Sequence, residues 1–143
     1  MKAKAVLLTF LAFGLLMVGI TIYYAATIDR AQRNIDTVVA PGGRYKAVHM
    51  RVYGDKPEPF CVDTIAIYLA LYPESFVSSK RAYEVYGAPC ATPSKDAPVP
   101  KIEWTSDKSV RITYAAPADK QPRKRDKDAS LFIDIEWVKA PTP

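Results

Sequence analysis

The side chains fitted for chemistry in this chain are Cys61 and Cys90, the single histidine His49, and the carboxylates Asp63, Asp134 and Glu136. A nucleophilic thiol needs a neighbouring base, and that base needs an orienting group. One histidine with no evident third member is poor material for that arrangement. Two cysteines in an exported segment pair instead, and closing a loop of about thirty residues stabilises a fold by about 3.5 kcal/mol through chain entropy. Cys61 and Cys90 are therefore expected to form a structural disulfide.

Asp134 and Glu136 share one face of an alternating segment, with Asp63 as a third carboxylate, and paired carboxylates can act as acid and base. Alternating carboxylates on a terminal strand more commonly form the solvated side of a sheet, so no catalytic residue is assigned. Metal sites draw on clustered His, Cys, Asp and Glu, which this chain lacks, and no glycine-rich phosphate loop or exposed-serine elbow occurs. No metal and no cofactor are expected, and the chain reads as a non-enzyme. The catalytic alternative is a weak hydrolase using the carboxylates.

What positions these residues begins with residues 5–28, AVLLTFLAFGLLMVGITIYYAATI, which carry no charge. As a helix this run reaches about 36 Å, enough to cross a hydrocarbon layer of about 30 Å. It exceeds the h-region of a signal peptide, about 7–15 residues, and no clean small-x-small cleavage site follows. An uncleaved anchor is the expectation, with Tyr23 and Tyr24 in the outer aromatic belt. Lys2 and Lys4 precede the span, whereas Arg30 and Arg33 after it are balanced by Asp29 and Asp36. The positive flank stays inside, which places the N-terminus in the cytoplasm and the rest of the chain in the periplasm of a bacterium, on a single pass of the inner membrane. Gly14 and Gly19 miss the four-residue spacing of a helix-packing seam, which argues against a strong homodimer through the span.

Residues 29–43 read as a tether, and Pro41-Gly42-Gly43 breaks any helix. RYKAVHMRVY then alternates as a first strand, with Val48, Met50 and Val52 on the core face and Tyr45, His49, Arg51 and Tyr53 on a partly solvated one. CVDTIAIYLALY (61–72) and AYEVYG (82–87) follow as strands. KIEWTSDKSVRITYA (101–115) reads as a hairpin around a polar turn, and LFIDIEWV (131–138) as the last strand. About six strands, spaced by turn signals, imply an all-β or β-rich exported domain over 44–139, a small antiparallel sheet or sandwich behind an N-terminal transmembrane helix. Residues 140–143 form a tail.

The sequence APGGRYKAVHMRVY together with IEW and SVRITY resembles small single-span bacterial envelope proteins that open their first strand with Ser-Pro-x-Gly-Lys-Tyr. Pro41, Gly43 and Tyr45 match, Ala40 and Arg44 replace the serine and lysine, and Gly42 fills the variable place. The resemblance implies a β-domain on a membrane stalk and transfers no catalytic residue.

Two surface features point to partners. PRKRDKD (122–128) concentrates Arg123, Lys124 and Arg125, diluted by Asp119, Asp126 and Asp128. The chain's net charge is +5, of which Lys2 and Lys4 supply two units. An exported domain does not meet nucleic acid, so the cluster is read as a solvated loop or as a contact to an acidic partner or anionic headgroups. Nine tyrosines exceed what a small core needs, and Tyr45, Tyr53 and Tyr68 join the basic residues as candidate partner contacts. The expected function is a membrane-anchored module that binds another envelope protein as a regulatory, inhibitory or accessory subunit. The structural alternative is a subunit that assembles through its transmembrane helix.

Overall fold

The computed structural model describes the chain from residue 2 to 27 and from 31 to 141, with the backbone alone for residues 2–8, 27, 77 and 78. Helix α1 (Lys2–Thr27) contains no proline and, after Lys4, no charged residue. Its segment Thr9–Ala26 has a mean hydropathy of 1.8 and none of it is buried by the rest of the chain. By length and composition it can cross a bilayer, a property it shares with signal sequences. Asp29 and Arg30, on which the orientation reading draws, lie outside the described residues, as do the side chains of Lys2 and Lys4 and residues 142–143 of the tail.

Eight strands follow: β1 (Gln32–Val39), β2 (Tyr45–Gly54), β3 (Phe60–Leu69), β4 (Glu84–Pro89), β5 (Lys101–Ser106), β6 (Ser109–Tyr114), β7 (Arg123–Lys124) and β8 (Asp134–Lys139), with a short helix α2 (Phe76–Ser79) between β3 and β4. Five form one antiparallel sheet in the order β1-β2-β3-β4-β7, and three form a second in the order β5-β6-β8. The expected hairpin is present as β5–β6, but β6 and β8 run parallel. Both free edges of the second sheet are tied to the first. Trp104 Nε1 donates to the Val38 carbonyl at 3.0 Å. On the other side, Arg125 N donates to Val85 O and Ile135 N to Asp126 O, so residues 125–126 stitch β4 to β8. Covering edges in this way removes templates for unwanted pairing.

The tether expected over 29–43 is a strand through much of its length, since β1 pairs with β2 from Gln32↔Tyr53 to Val39↔Lys46. Its side chains are largely exposed, so backbone hydrogen bonds rather than burial hold it, and it leaves no hydrophobic alternation to read. This strand and the two-residue β7, hidden in the charged loop, raise the expected six strands to eight. The last strand begins at Asp134 rather than Leu131, because Leu131 takes a left-handed conformation with φ 64°.

The faces of β2 also differ from expectation. The odd-numbered side, Tyr45, Ala47, His49 and Arg51, points between the sheets. Tyr45 and Ala47 join Ile65, Ile67, Val85, Tyr86, Val110, Ile112, Ile133 and Ile135 in the main core. The even-numbered side is covered as well: Val48, Ala66 and Tyr68 pack under Met50, Tyr72, Phe76 and Tyr83, where the chain from 70 to 83 folds back across the sheet. A strand buried on both faces has no solvated side for its polar residues. Cys61 and Cys90 lie with their sulfurs at bonding distance and Cα atoms 5.3 Å apart, tying the start of β3 to the end of β4.

Candidate interaction site

The polar residues of β2 and β3 meet inside the sandwich. Arg51 and Asp63 are 2% and 1% exposed, and lie opposite each other in register. The guanidinium grips the carboxylate with two bonds, Nε to Oδ1 at 2.8 Å and Nη2 to Oδ2 at 2.9 Å. Its remaining protons go to the carbonyls of Lys95, Ala97 and Pro98. All five guanidinium donors are thereby used, and none is left for a substrate. The proline-rich segment is pinned over this end of the interior as a lid, with Ala97 packed against both cysteines.

His49, 2% exposed, hydrogen-bonds Asp63 Oδ1 through Nε2 at 2.8 Å. An ionised carboxylate only accepts, so Nε2 carries the proton. Its Nδ1 lies 3.8 Å from Asp36 Oδ2, beyond a hydrogen bond, and is buried without a partner. Burial pushes the Asp63 carboxyl upward, but hydrogen bonds and charge from Arg51 and His49 outweigh it and hold the group below the usual aspartate range. The Asp63 hydrogen bond, against the cost of burial, raises Arg51. His49 and Arg51 thus belong, with Asp63, to a closed structural network rather than to the wet strand face expected of them. Asp134 and Glu136 sit on the other sheet, exposed and paired with Lys127 and Arg111, so the three carboxylates are not brought together. Among the described residues no group of three or more His, Cys, Asp or Glu could hold a metal ion.

The open surface lies at the end of the sandwich where β1 finishes and β2 begins. Ala40, Gly42, Arg44, Tyr45, Asp107, Lys108 and Phe132 line a cavity of about 340 Å³ there. A second of about 270 Å³ shares Arg44, Tyr45 and Phe132 with it and continues toward Tyr72 and Tyr83. The turn that forms one wall depends on glycine twice. Gly43 holds φ 70°, closing a bond from its N to Ala40 O, while a Cβ on Gly42 would meet the Asp107 carboxylate at 2.7 Å.

The opposite wall is a braced loop. Asp128, 3% exposed, accepts hydrogen bonds from Ser130 N and Oγ and from Ile133 N, and its carbonyl accepts from Leu131 N. This bracing holds Leu131 in its left-handed conformation and leaves Leu131 69% and Phe132 64% exposed, side by side. A β-strand would have alternated them. The sequence signal available in advance was Asp128 followed by Ser130, a side chain that caps its own turn.

The residues expected to touch a partner separate. Tyr45 and Tyr68 are buried, 8% and 1% exposed; Tyr45 lines both cavities of the groove and Tyr68 the second. The 70–83 excursion packs over Tyr68, which contributes to the wall of the second cavity rather than to an open surface. Tyr53 is half-buried at the opposite end, beside Cys61, Cys90 and Ala97. Arg123 is paired with Glu84, and Arg125 donates to Ala82 O, while Lys124 turns to the other side and meets Tyr114. Phe132, Arg44 and Lys108, missed in the sequence, are residues the groove assembles, with Leu131 exposed beside Phe132 in the chain. Comparison with protein-family models, with curated proteins and with solved structures finds no match to this chain.

Proposed function

We propose that the chain is an envelope protein held in the inner membrane by an uncleaved N-terminal span, with its β-domain exported, and that the domain binds another envelope protein at the groove lined by Phe132, beside the exposed Leu131. The exposed apolar pair on a braced loop is the observation that carries this reading. Holding a leucine at positive φ is costly, and folds retain such strain where it serves a site. Export is supported by the cysteine pair, since disulfides persist in oxidising compartments. The start of β1 is tethered five residues past Thr27, whereas the groove lies at the far end of that strand, about 24 Å further along it. That end has the longest reach from the membrane.

The occupant is a segment of a second protein carrying a large apolar side chain flanked by a carboxylate. Arg44 and Lys108 line the groove and enter no ion pair among the described residues, against the acid Asp107, while Asp128 in the adjoining cavity is engaged by its own loop. An apolar anchor inside a rim of complementary charge is the common anatomy of a protein interface. The test places a photo-crosslinking residue at Phe132 in the full chain in native membranes, with the same residue at Val99 as control. A discrete adduct from position 132 alone, mapped to an acidic, apolar peptide of a different protein and lost on Leu131→Asp, is expected. An adduct with a second copy, with lipid, or with nothing overturns the reading. N-terminal mass spectrometry of the mature chain, expected to find residue 1 or 2 first, tests the anchor separately.

A further inference from the structure

The opposite end of the sandwich carries a different surface. Tyr114, Ala116, Pro117, Ala118, Lys120, Gln121, Pro122, Lys124 and Lys139 enclose a cavity of about 350 Å³ in which no carboxylate takes part. Lys120, Lys124 and Lys139 enter none of the ion pairs among the described residues, whereas several cations elsewhere on the domain do. Arg123 is held by Glu84, Lys127 by Asp134, Arg111 by Glu136 and Lys101 by Glu103. Asp119 adjoins Lys120 in sequence but lines the neighbouring cavity with Cys61 and Cys90.

One of the three lysines is pre-positioned. Lys124 Nζ donates to Tyr114 Oη at 2.9 Å and sits over the Tyr114 and Trp137 rings, 4.7 and 5.7 Å from their centroids. An ammonium has three protons, so two remain for a ligand, held at a fixed point by the aromatic box. The Gln121 amide adds a further donor to the lining. Three ammonium groups around a polar cavity without an acid select an anion, and compact tetrahedral oxyanions satisfy several donors at once.

We infer that this cavity binds a phosphate group, held by Lys120, Lys124 and Lys139. Its position names the source. β6 and β8 end here, away from the Asp107–Lys108 turn, and the adjoining cavity is lined by the Pro59–Val62 start of β3, the strand end that lies near the Gln32 entry from α1. The cavity is therefore at the tethered end, where the headgroup phosphates of anionic lipids are at high local concentration, and each lysine near such a surface contributes about fivefold in affinity. The site would turn a flexible tether into an oriented one, holding the Leu131–Phe132 end outward.

The test reconstitutes the full chain in phosphatidylcholine bilayers, in the same bilayers with phosphatidylglycerol, and in the first bilayers with millimolar inorganic phosphate. Amine acetylation is then read lysine by lysine. Slowed labelling of Lys120, Lys124 and Lys139 relative to Lys101 and Lys127 in the phosphatidylglycerol arm is expected, with Lys124→Gln weakening the protection of the other two about fivefold. Protection by inorganic phosphate alone keeps the phosphate site and reassigns its source to a soluble ligand. Equal labelling in all arms, or equal slowing of all lysines, overturns the site. Loss of crosslinking at Phe132 with protection intact would instead remove the protein-binding reading, so the two failures are separable.

Discussion

The two ends of the same interior are built on opposite principles. Toward the Leu131–Phe132 end the space between the sheets is filled by Ile65, Ile67, Ile112, Ile133 and their neighbours, and the buried Asp128 carboxylate is satisfied within its own loop. Toward the end where β1 begins the second sheet gives way to the proline-rich loop, and the space is filled by Arg51, Asp63 and His49. An apolar core is stable under any rearrangement that keeps it dry. A buried ion pair offsets its desolvation only with every donor placed, and so specifies one arrangement of the loop carbonyls that receive Arg51. The charged end exchanges tolerance for a fixed loop, and the disulfide adds a second constraint at the same place.

That contrast can be broken most forcefully at Asp63. Asp63→Ala leaves the Arg51 charge buried and is expected to destabilise the domain by about 3–5 kcal/mol in denaturant unfolding, more than Ile112→Ala measured alongside it if the charged end depends on complete pairing. Replacing both partners, Arg51→Met with Asp63→Leu, should cost much less. A double variant as unstable as Asp63→Ala would show that the loop, not the charge, was the weak point. Removing the disulfide with Cys61→Ser and Cys90→Ser comes next, at about 3.5 kcal/mol. Its effect should appear first as faster proteolysis in the segment Ala91–Lys101.

Acid sharpens the comparison further. The folded-state pKa of Asp63 is lowered, so its stabilisation is complete above the unfolded value of about 3.9 and is lost as pH falls through the lower folded value. The acid limb of the thermal stability profile should therefore flatten in Asp63→Asn and stay unchanged in Ile112→Ala. A smaller effect of opposite sign is expected at the apolar end. Leu131→Gly relieves the positive φ and should stabilise by about 1 kcal/mol while weakening crosslinking from position 132. The smallest is Tyr86→Phe. The Tyr86 hydroxyl is buried with no partner, and burial raises its pKa; deleting it should leave stability unchanged or increase it by about 1 kcal/mol.

Much of the strand order was legible because half-buried strands write a period of two into the chain. The β5–β6 hairpin and the Ile133, Ile135 and Trp137 side of the last segment follow that period. β1 was not legible, because an exposed edge strand is held by its backbone and records nothing in its side chains. His49 and Arg51 misled for the converse reason. Alternation identifies two faces, but which one meets water depends on whether another layer covers it, and β2 is covered on both.

The sequence alone determined the apolar N-terminal helix, the β-rich character of the rest and the pairing of its only two cysteines, because each follows from local composition or from there being no other choice. Tertiary structure decided where the charges go. Arg123, Lys124 and Arg125 are one cluster in sequence and three different environments in space, since successive strand residues point to opposite faces. Lys120, Lys124 and Lys139 become neighbours, and Arg44 comes to face Phe132, only because long-range strand pairing folds separate segments onto the same two ends.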